Sequence, residues 1–102
     1  MNIKINEKEI TLKYTFRAMM IYEKITNESF SFNGLSELLI FFYSTLLASD
    51  KDCTMTFEEF IDWCDENPTE INNFTEWLTR NVAKNNHIKG EVEKGDGEPK
   101  KG

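Results

Sequence analysis

Residues 1–32 read MNIKINEKEITLKYTFRAMMIYEKITNESFSF, and this stretch decides the fold because its pattern changes once, from strand to helix. From residue 2 to residue 14 apolar and polar side chains alternate, which is the period of half-buried strands. A turn over Asn6 to Glu9 closes these residues into a hairpin, because Asn tolerates a left-handed backbone. Thr15 then caps a helix over residues 16–26, whose apolar side chains follow helical spacing on more than one face.

The next apolar segment predicts a second helix, residues 35–49, after a loop over residues 31–34. One stripe along this helix consists of Leu35, Leu38, Leu39, Phe42 and Leu46. Ile40, Tyr43 and Leu47 lie on one side of the stripe, and Phe41 lies on the other. A helix with so many apolar side chains either lies at the centre of the core or docks on a partner.

Two further helices are predicted from their start signals. Thr56 and Glu59 form a capping box, in which each side chain accepts a hydrogen bond from an unpaired backbone N–H at a helix start. Asn67 and Pro68 provide an N-cap and a proline at the first helical position. We expect the third helix, residues 57–65, to bury Phe57, Phe60, Ile61 and Cys64, and the fourth, residues 68–84, to bury Ile71, Phe74, Leu78 and Val82.

These elements predict an α+β protein with an N-terminal β-hairpin followed by a bundle of about four α-helices. The chain has 102 residues, and a chain of this size buries roughly two-thirds of its unfolded surface, which is enough for one core. We assign residues 1–87 to a single globular domain. Residues 88–102 hold four of the five glycines and balanced charges, so we expect a flexible, disordered tail there.

The net charge of −6 comes from one part of the chain. Residues 50–87 carry nine acidic and three basic side chains, whereas the segments before and after them are balanced. Such a segment repels a phosphate backbone, so we expect no nucleic-acid partner. The acidic side chains either form solvated helix faces that keep the protein in solution or form a site for a basic partner.

Cysteine usage and hydropathy predict a cytoplasmic protein without a membrane partner. Cys53 and Cys64 lie in acidic, helical sequence with no leader peptide ahead of them, which favours reduced thiols. The longest apolar run, residues 38–43, is far shorter than the ~20 residues of a membrane span.

Residues 50–60, DKDCTMTFEEF, resemble the calcium-binding loop of an EF-hand. That loop has about twelve residues, with a glycine at the sixth position and a bidentate glutamate at the last. Counting from Asp50 places Met55 at the sixth position and Ile61 at the twelfth, and making Glu59 the last ligand leaves the loop two residues short. We therefore predict no metal site, and an EF-hand-like metal-binding module stays an alternative.

No combination of residues in the sequence predicts catalysis or a cofactor. His87 is the single histidine and lies at the end of the fourth helix, where an exposed residue is expected rather than a general base. Gly34 is the single glycine before residue 90, so a glycine-rich phosphate loop is absent. The two cysteines are eleven residues apart, without the spacing of a zinc or redox motif. We therefore predict that the protein is not an enzyme and binds no cofactor.

The opening residues 3–18, IKINEKEITLKYTFRA, resemble the tail assembly chaperones of long-tailed phages and prophages. Members of that family begin with a hairpin of the form I-x-I-N-G-K-x-(Y/I)-x-L-x-(F/Y)-(T/S)-x-(R/G/K)-A and continue as an α-helical body of similar size. The pattern covers about residues 1–30, including a helix that ends in YEK. Glu7 stands where many members have glycine, which predicts a wider turn.

The resemblance implies a non-enzymatic chaperone that binds and solubilises the long, hydrophobic tape-measure protein until the tail tube assembles around it. It implies no catalytic residue, a bacterial host cytoplasm and, in many members, a longer frameshift product. Helical spacing adds four candidate partner-binding residues outside the main stripe of the second helix, namely Ile40, Phe41, Tyr43 and Leu47. Self-association stays open, and a small adaptor or inhibitor from a mobile element is a further alternative.

Overall fold

The computed structural model describes residues 1–31 and 33–94, the last ten of these in their backbone only. Over these residues the chain forms two strands and four helices: β1 (Asn2–Ile5), β2 (Lys8–Thr11), α1 (Phe16–Thr26), α2 (Leu35–Ser49), α3 (Phe57–Glu66) and α4 (Pro68–Lys94). The predicted α+β class, with an N-terminal hairpin followed by four helices, is confirmed.

The hairpin turn is tighter than predicted. β1 and β2 pair antiparallel with Ile5 opposite Lys8, so that the turn consists of Asn6 and Glu7 alone. Both turn residues have positive φ, 52° at Asn6 and 66° at Glu7, as in type I′ turns. The prediction of a wider turn over Asn6 to Glu9 is therefore wrong. Strand pairing offsets the ~1–2 kcal/mol that a left-handed backbone costs a residue other than glycine.

One face of the hairpin belongs to the core. Its buried residues are Ile3, Ile5, Ile10 and Leu12, while the residues between them are exposed. The Leu12 N–H donates to the Met1 carbonyl at 2.7 Å, which continues the pairing past the strand ends. β2 contacts α2. The apolar side chains of the alternating pattern therefore face the helices, and the polar ones face solvent.

α1 begins at the predicted cap and packs through one side. The Thr15 hydroxyl accepts a hydrogen bond from the Ala18 N–H at 3.1 Å. Ala18 and Tyr22 lie one turn apart and are buried, with the Tyr22 ring 6.4 Å from the ring of Phe41 on α2. Asn27 ends the helix in a left-handed conformation with φ 60°.

α2 is the central helix and lies in the core. Its fully buried residues are Phe41, Phe42, Ser44, Thr45 and Leu46. The Ser44 and Thr45 hydroxyls donate to carbonyls one turn back on the same helix, at 2.7 and 2.8 Å. These polar side chains therefore enter the core without leaving an unpaired hydroxyl.

Phe57, which we expected α3 to bury, is exposed, and so is Leu35 of the α2 stripe. Leu35 is 67 % exposed and Phe57 is 36 % exposed. Each is the first residue of its helix, and because helical side chains tilt toward the N-terminus, both extend past the packed surface. The other predicted residues outside the fully buried set are half-buried and pack against the core: Leu38, Leu39, Ile61, Ile71 and Val82.

α3 begins with the predicted capping box. The Glu59 N–H donates to the Thr56 hydroxyl at 3.1 Å, and the Thr56 N–H donates to the Glu59 carboxylate at 2.9 Å. At its other end the Asn67 side-chain amide donates to the Trp63 carbonyl at 2.9 Å. We predicted that the Asn67 side chain caps the start of α4, but it caps the end of α3 instead. At the start of α4, the Asn67 main-chain carbonyl accepts a hydrogen bond from the Glu70 N–H at 3.0 Å.

α4 extends further than predicted. We placed its end at residue 84, whereas it continues to Lys94, so residues 88–94 of the predicted tail are helical. Lysine and glutamate are good helix formers, and the single glycine in this stretch costs only ~1 kcal/mol. The rest of the predicted tail, residues 95–102, lies outside the described residues.

Aromatic rings from three helices form the centre of the core. The Phe42 ring stacks on Phe74 of α4 at a centroid distance of 4.1 Å and meets Phe60 of α3 edge-on at 5.0 Å. Such contacts contribute ~0.5–1.5 kcal/mol per pair beyond burial. The core therefore joins α2, α3 and α4, and α1 packs on another side of α2.

Candidate partner-binding surface

The outer side of α1 carries apolar side chains that the described part of the chain leaves uncovered. Phe16 and Met20 lie one turn apart and are 74 % and 61 % exposed. Ala18 follows Phe16 by two residues, and Tyr22 follows Met20 by two. Because Ala18 and Tyr22 point into the core, Phe16 and Met20 point outward. We call the outward residues Phe16, Arg17, Met20 and Lys24 the α1 face.

Two basic side chains border the apolar part of the α1 face. Arg17 and Lys24 line, with Met20 and Ile21, an open depression of roughly 360 Å³. Lys24 lies in the last turn of α1, where the helix dipole favours a cation. Neither basic side chain forms an ion pair within the described residues. The α1 face thus combines apolar contact area with positive charge that is available to a partner.

Three of the four predicted contact residues lie together on one side of α2. Ile40, Tyr43 and Leu47 are each half-buried. The Tyr43 hydroxyl donates to the Met55 carbonyl at 2.6 Å, and its ring lies 5.4 Å from the ring of the exposed Phe57. Burial raises the pKa of the Tyr43 hydroxyl. The structure therefore offers only the edges of these side chains to a partner.

Phe41, the fourth predicted contact residue, is a core residue. It is fully buried, and its ring lies 4.6 Å from that of Phe30, 6.1 Å from Tyr14 and 6.2 Å from Phe74. We expected exposure because Phe41 lies off the main stripe of α2. The segments on either side of α1 and the helix α4 cover that side, so the prediction is wrong for this residue.

The most exposed apolar side chains of α1 were missing from the predicted contact set. In the sequence, Phe16 and Met20 belong to a larger set of apolar side chains on the first two helices that suit contact surface as readily as core, and they were not selected as contact residues. The available signal was the pair Ala18 and Tyr22, because a small residue and a large one at one-turn spacing define an inner side. Apolar residues on the side of the helix opposite that pair then lie on the outside.

The segment that resembles an EF-hand loop has carboxylates in structural contacts. Asp50 Oδ1 lies 3.0 Å from Lys8 Nζ and accepts the Asp52 N–H at 3.2 Å. Glu59 is engaged in the capping box of α3. Within the described residues, no group of three or more His, Cys, Asp or Glu side chains is placed to hold a metal ion. These carboxylates fix the hairpin to the end of α2 and start α3.

The two cysteines are free thiols, of which Cys64 is buried and Cys53 is half-buried. Burial raises the pKa of the Cys64 thiol to about 11. Because the thiolate is the nucleophilic form, burial disfavours reactivity at neutral pH. His87 lies in the part of α4 that is described by its backbone only. The Cys64 side chain is therefore a packing group of α3.

The α1 face holds the two most exposed apolar side chains of α1, and the half-buried residues of α2 add a smaller apolar surface. Among the described residues, no helix is both long and apolar enough to cross a membrane. Comparison of the chain with protein-family models, with curated proteins and with solved structures finds no match.

Proposed function

We propose that this chain is a phage or prophage tail assembly chaperone, which binds and solubilises the tape-measure protein during tail morphogenesis. The α1 face carries the proposal, because Phe16 and Met20 project into solvent directly after the hairpin whose residues resemble that family. Exposed apolar side chains on an ordered helix favour a protein partner. The activity is binding, without catalysis.

The α1 face suits a partner that presents amphipathic helices. Phe16 supplies a rigid aromatic ring, and Met20 supplies a flexible thioether that adapts to irregular apolar surfaces. Arg17 and Lys24 pair with acidic side chains that border the apolar stripe of such a helix. Contacts of this kind shield apolar segments from aggregation and release them when a competing partner arrives.

Other features of the chain support the same proposal. Ile40, Tyr43 and Leu47, beside Phe57, form a second and narrower contact strip. The net charge of −6 keeps a complex with a hydrophobic protein in solution. The proposed place of action is the bacterial host cytoplasm, and the proposed activity needs no cofactor, nucleic acid or membrane.

Co-expression with the tape-measure protein from the neighbouring gene tests the proposal. The double variant Phe16→Ser with Met20→Ser should reduce co-purification at least tenfold. Its circular dichroism spectrum and melting temperature should stay unchanged, because both side chains are already in water in the free protein.

A matched pair elsewhere on the surface controls for the loss of apolar area. Ile25→Ser with Leu35→Ser removes two exposed apolar side chains outside the α1 face and should retain co-purification. If the control variant loses binding and the Phe16→Ser, Met20→Ser variant keeps it, the contact surface lies outside the α1 face. A wild-type chain that leaves the tape-measure protein insoluble would reject the chaperone function and favour an adaptor or inhibitor. A saturable calcium response at residues 50–60 would favour the EF-hand alternative.

A further inference from the structure

An open groove lies between the hairpin and α3. Its volume is roughly 610 Å³, which falls in the range of sites that enclose small ligands or a few side chains. Its apolar lining residues are Ile5, Ile10, Leu46, Met55 and Trp63. No residue of α1 lines the groove, so this surface is separate from the α1 face.

The rim of the groove is strongly acidic. Its carboxylates belong to Asp50, Asp52, Glu59, Asp62 and Glu66, and Lys8 is the one lysine that lines it among the described residues. Asp62 and Glu66 lie one turn apart on α3, are exposed, and form no ion pair within the described residues. Five of the nine acidic side chains of residues 50–87 thus lie beside one apolar surface.

Two of these acids occupy positions that are unfavourable for their own helices. Asp50 caps the C-terminus of α2, Glu66 is the last residue of α3, and neither helix has a basic residue in its last turn. A carboxylate at a helix C-terminus is destabilising, because the terminal carbonyls already carry partial negative charge. Both helix ends add to the negative potential of the groove, and a cation bound there relieves the repulsion.

Lys8 shows within this chain how a cation binds at the rim. Its Nζ lies 3.0 Å from Asp50 Oδ1, and the two residues are 42 positions apart in sequence. The hydrogen bond to Asp50 raises the pKa of the Lys8 ammonium, and the charge of Asp52 adds to the effect. Asp52, Asp62 and Glu66 can hold further ammonium or guanidinium groups in the same way.

Trp63 contributes apolar surface to the groove and carries an indole N–H. It lines the groove and is 9 % exposed. Its indole N–H forms no hydrogen bond with the described residues, although buried indole donors usually have an acceptor.

We infer that this groove docks a basic peptide segment of another protein, in which two or more Lys or Arg side chains flank an apolar side chain. The apolar side chain contacts Trp63 and Met55, and the cationic groups bind Asp62 and Glu66. Charge complementarity selects this occupant, because an acidic peptide or a nucleic acid is repelled by the same rim. The site does not depend on the proposed chaperone function.

Peptide titration of the full chain tests this assignment. One peptide of about twelve residues combines lysine and leucine at helical spacing, and the other replaces each lysine with glutamate. Amide spectra should show saturable shifts at the Trp63 indole and at residues 53–55 with the lysine peptide alone, and added salt should weaken them. The Trp77 indole does not line the groove and serves as the internal reference.

Charge reversal separates a docking site from general attraction. Asp62→Lys with Glu66→Lys should weaken binding of the lysine peptide at least tenfold. Glu28→Lys with Glu76→Lys makes the same change in net charge at exposed positions outside the groove, and should weaken binding less than threefold. All four positions are exposed, so both variants should keep the wild-type circular dichroism spectrum.

Three outcomes would overturn the inference. Equal weakening in both variants would mean that net charge alone attracts the peptide. Shifts confined to residues outside the groove would place the peptide elsewhere. Groove shifts that depend on protein concentration without any peptide, with a matching increase in mass by light scattering, would identify a second copy of this chain as the occupant.

Discussion

α1 and α2 pack against each other and are both rich in apolar residues, yet they place them differently. α2 buries Phe41, Phe42 and Leu46 completely, whereas α1 buries Ala18 and Tyr22 and leaves Phe16 and Met20 in solvent. The helix with more apolar residues therefore exposes fewer of them. Apolar content alone does not identify a binding surface. On α1, the binding surface is identified by the side chains that point away from the buried residues Ala18 and Tyr22.

The number of packed neighbours explains this difference. α2 contacts α1, α3 and the hairpin, whereas the main contacts of α1 are with α2. A helix that packs against one neighbour keeps an outer side, and on α1 that side holds Phe16 and Met20. This contrast between a central helix and a peripheral one can be tested by substitutions in α1 and α2.

The largest expected effect comes from exchanging one phenylalanine in each helix for serine. Phe41→Ser should destabilise the fold by ~3–5 kcal/mol, which is a large part of the stability of a domain this small. Phe16→Ser should change it by less than ~0.5 kcal/mol, because the ring is already exposed. Urea unfolding followed by circular dichroism measures both. Equal effects would contradict the burial of Phe41 and the exposure of Phe16.

Alkaline pH tests how well α3 covers the core around α2. Burial raises the pKa of Cys64 from 9.0 to about 11, so the unfolded chain loses this proton first as the pH rises. The unfolding free energy should therefore fall between about pH 9 and pH 11, and the contribution of Cys64 is fully present below that range. Urea unfolding from pH 8 to pH 10.5 measures the slope. Cys64→Ala should show a shallower slope, and parallel slopes would contradict a buried thiol.

The N-termini of the two helices offer a smaller test. Thr15→Ala removes the side-chain cap of α1 and should cost ~1 kcal/mol, whereas Thr15→Ser should be nearly neutral. Gly34 precedes α2 without a side chain, and a Cβ there would lie 3.7 Å from Glu37 Oε1, an ordinary contact. Gly34→Ser should therefore stabilise the fold by a few tenths of a kcal/mol. Thermal unfolding compares the variants, and a neutral Thr15→Ala would contradict the cap.

The turn of the hairpin also gives a small expected effect. Glu7 has φ 66°, a conformation that glycine adopts without the steric cost of a side chain. Glu7→Gly should stabilise the hairpin by about 0.5 kcal/mol, after the extra entropy of the unfolded glycine is subtracted. Glu7→Ala removes the same charge but keeps the Cβ, so it should bring no gain. A stabilising Glu7→Ala would point to charge rather than to backbone conformation.

The elements of this fold are predictable because their signals are local. Thr15 and the pair Thr56 and Glu59 cap helices that begin within one to three residues of them. The alternation in the hairpin and the spacing in α2 likewise involve only neighbouring residues. The end of α4 was less predictable, because the stretch before Lys94 has helix formers but no apolar repeat.

Exposure and the candidate surface were harder to predict because they depend on residues far apart in sequence. The spacing within α2 does not show that Tyr14, Phe30 and Phe74 close over Phe41. The groove is likewise formed by the hairpin, the end of α2 and α3 together. The sequence indicates an excess of acidic residues, but only the tertiary structure places them on one rim.

The order of packing along the chain also bears on how the protein folds. Its main contacts join β1 to β2, α1 to α2, α2 to α3 and α3 to α4, which are neighbours in sequence. Proteins dominated by such local contacts fold within microseconds to milliseconds. During synthesis the hairpin, α1 and α2 can therefore assemble before α4 leaves the ribosome. The stack of Phe42 on Phe74 needs α4, so until α4 emerges the nascent domain exposes one side of its own core.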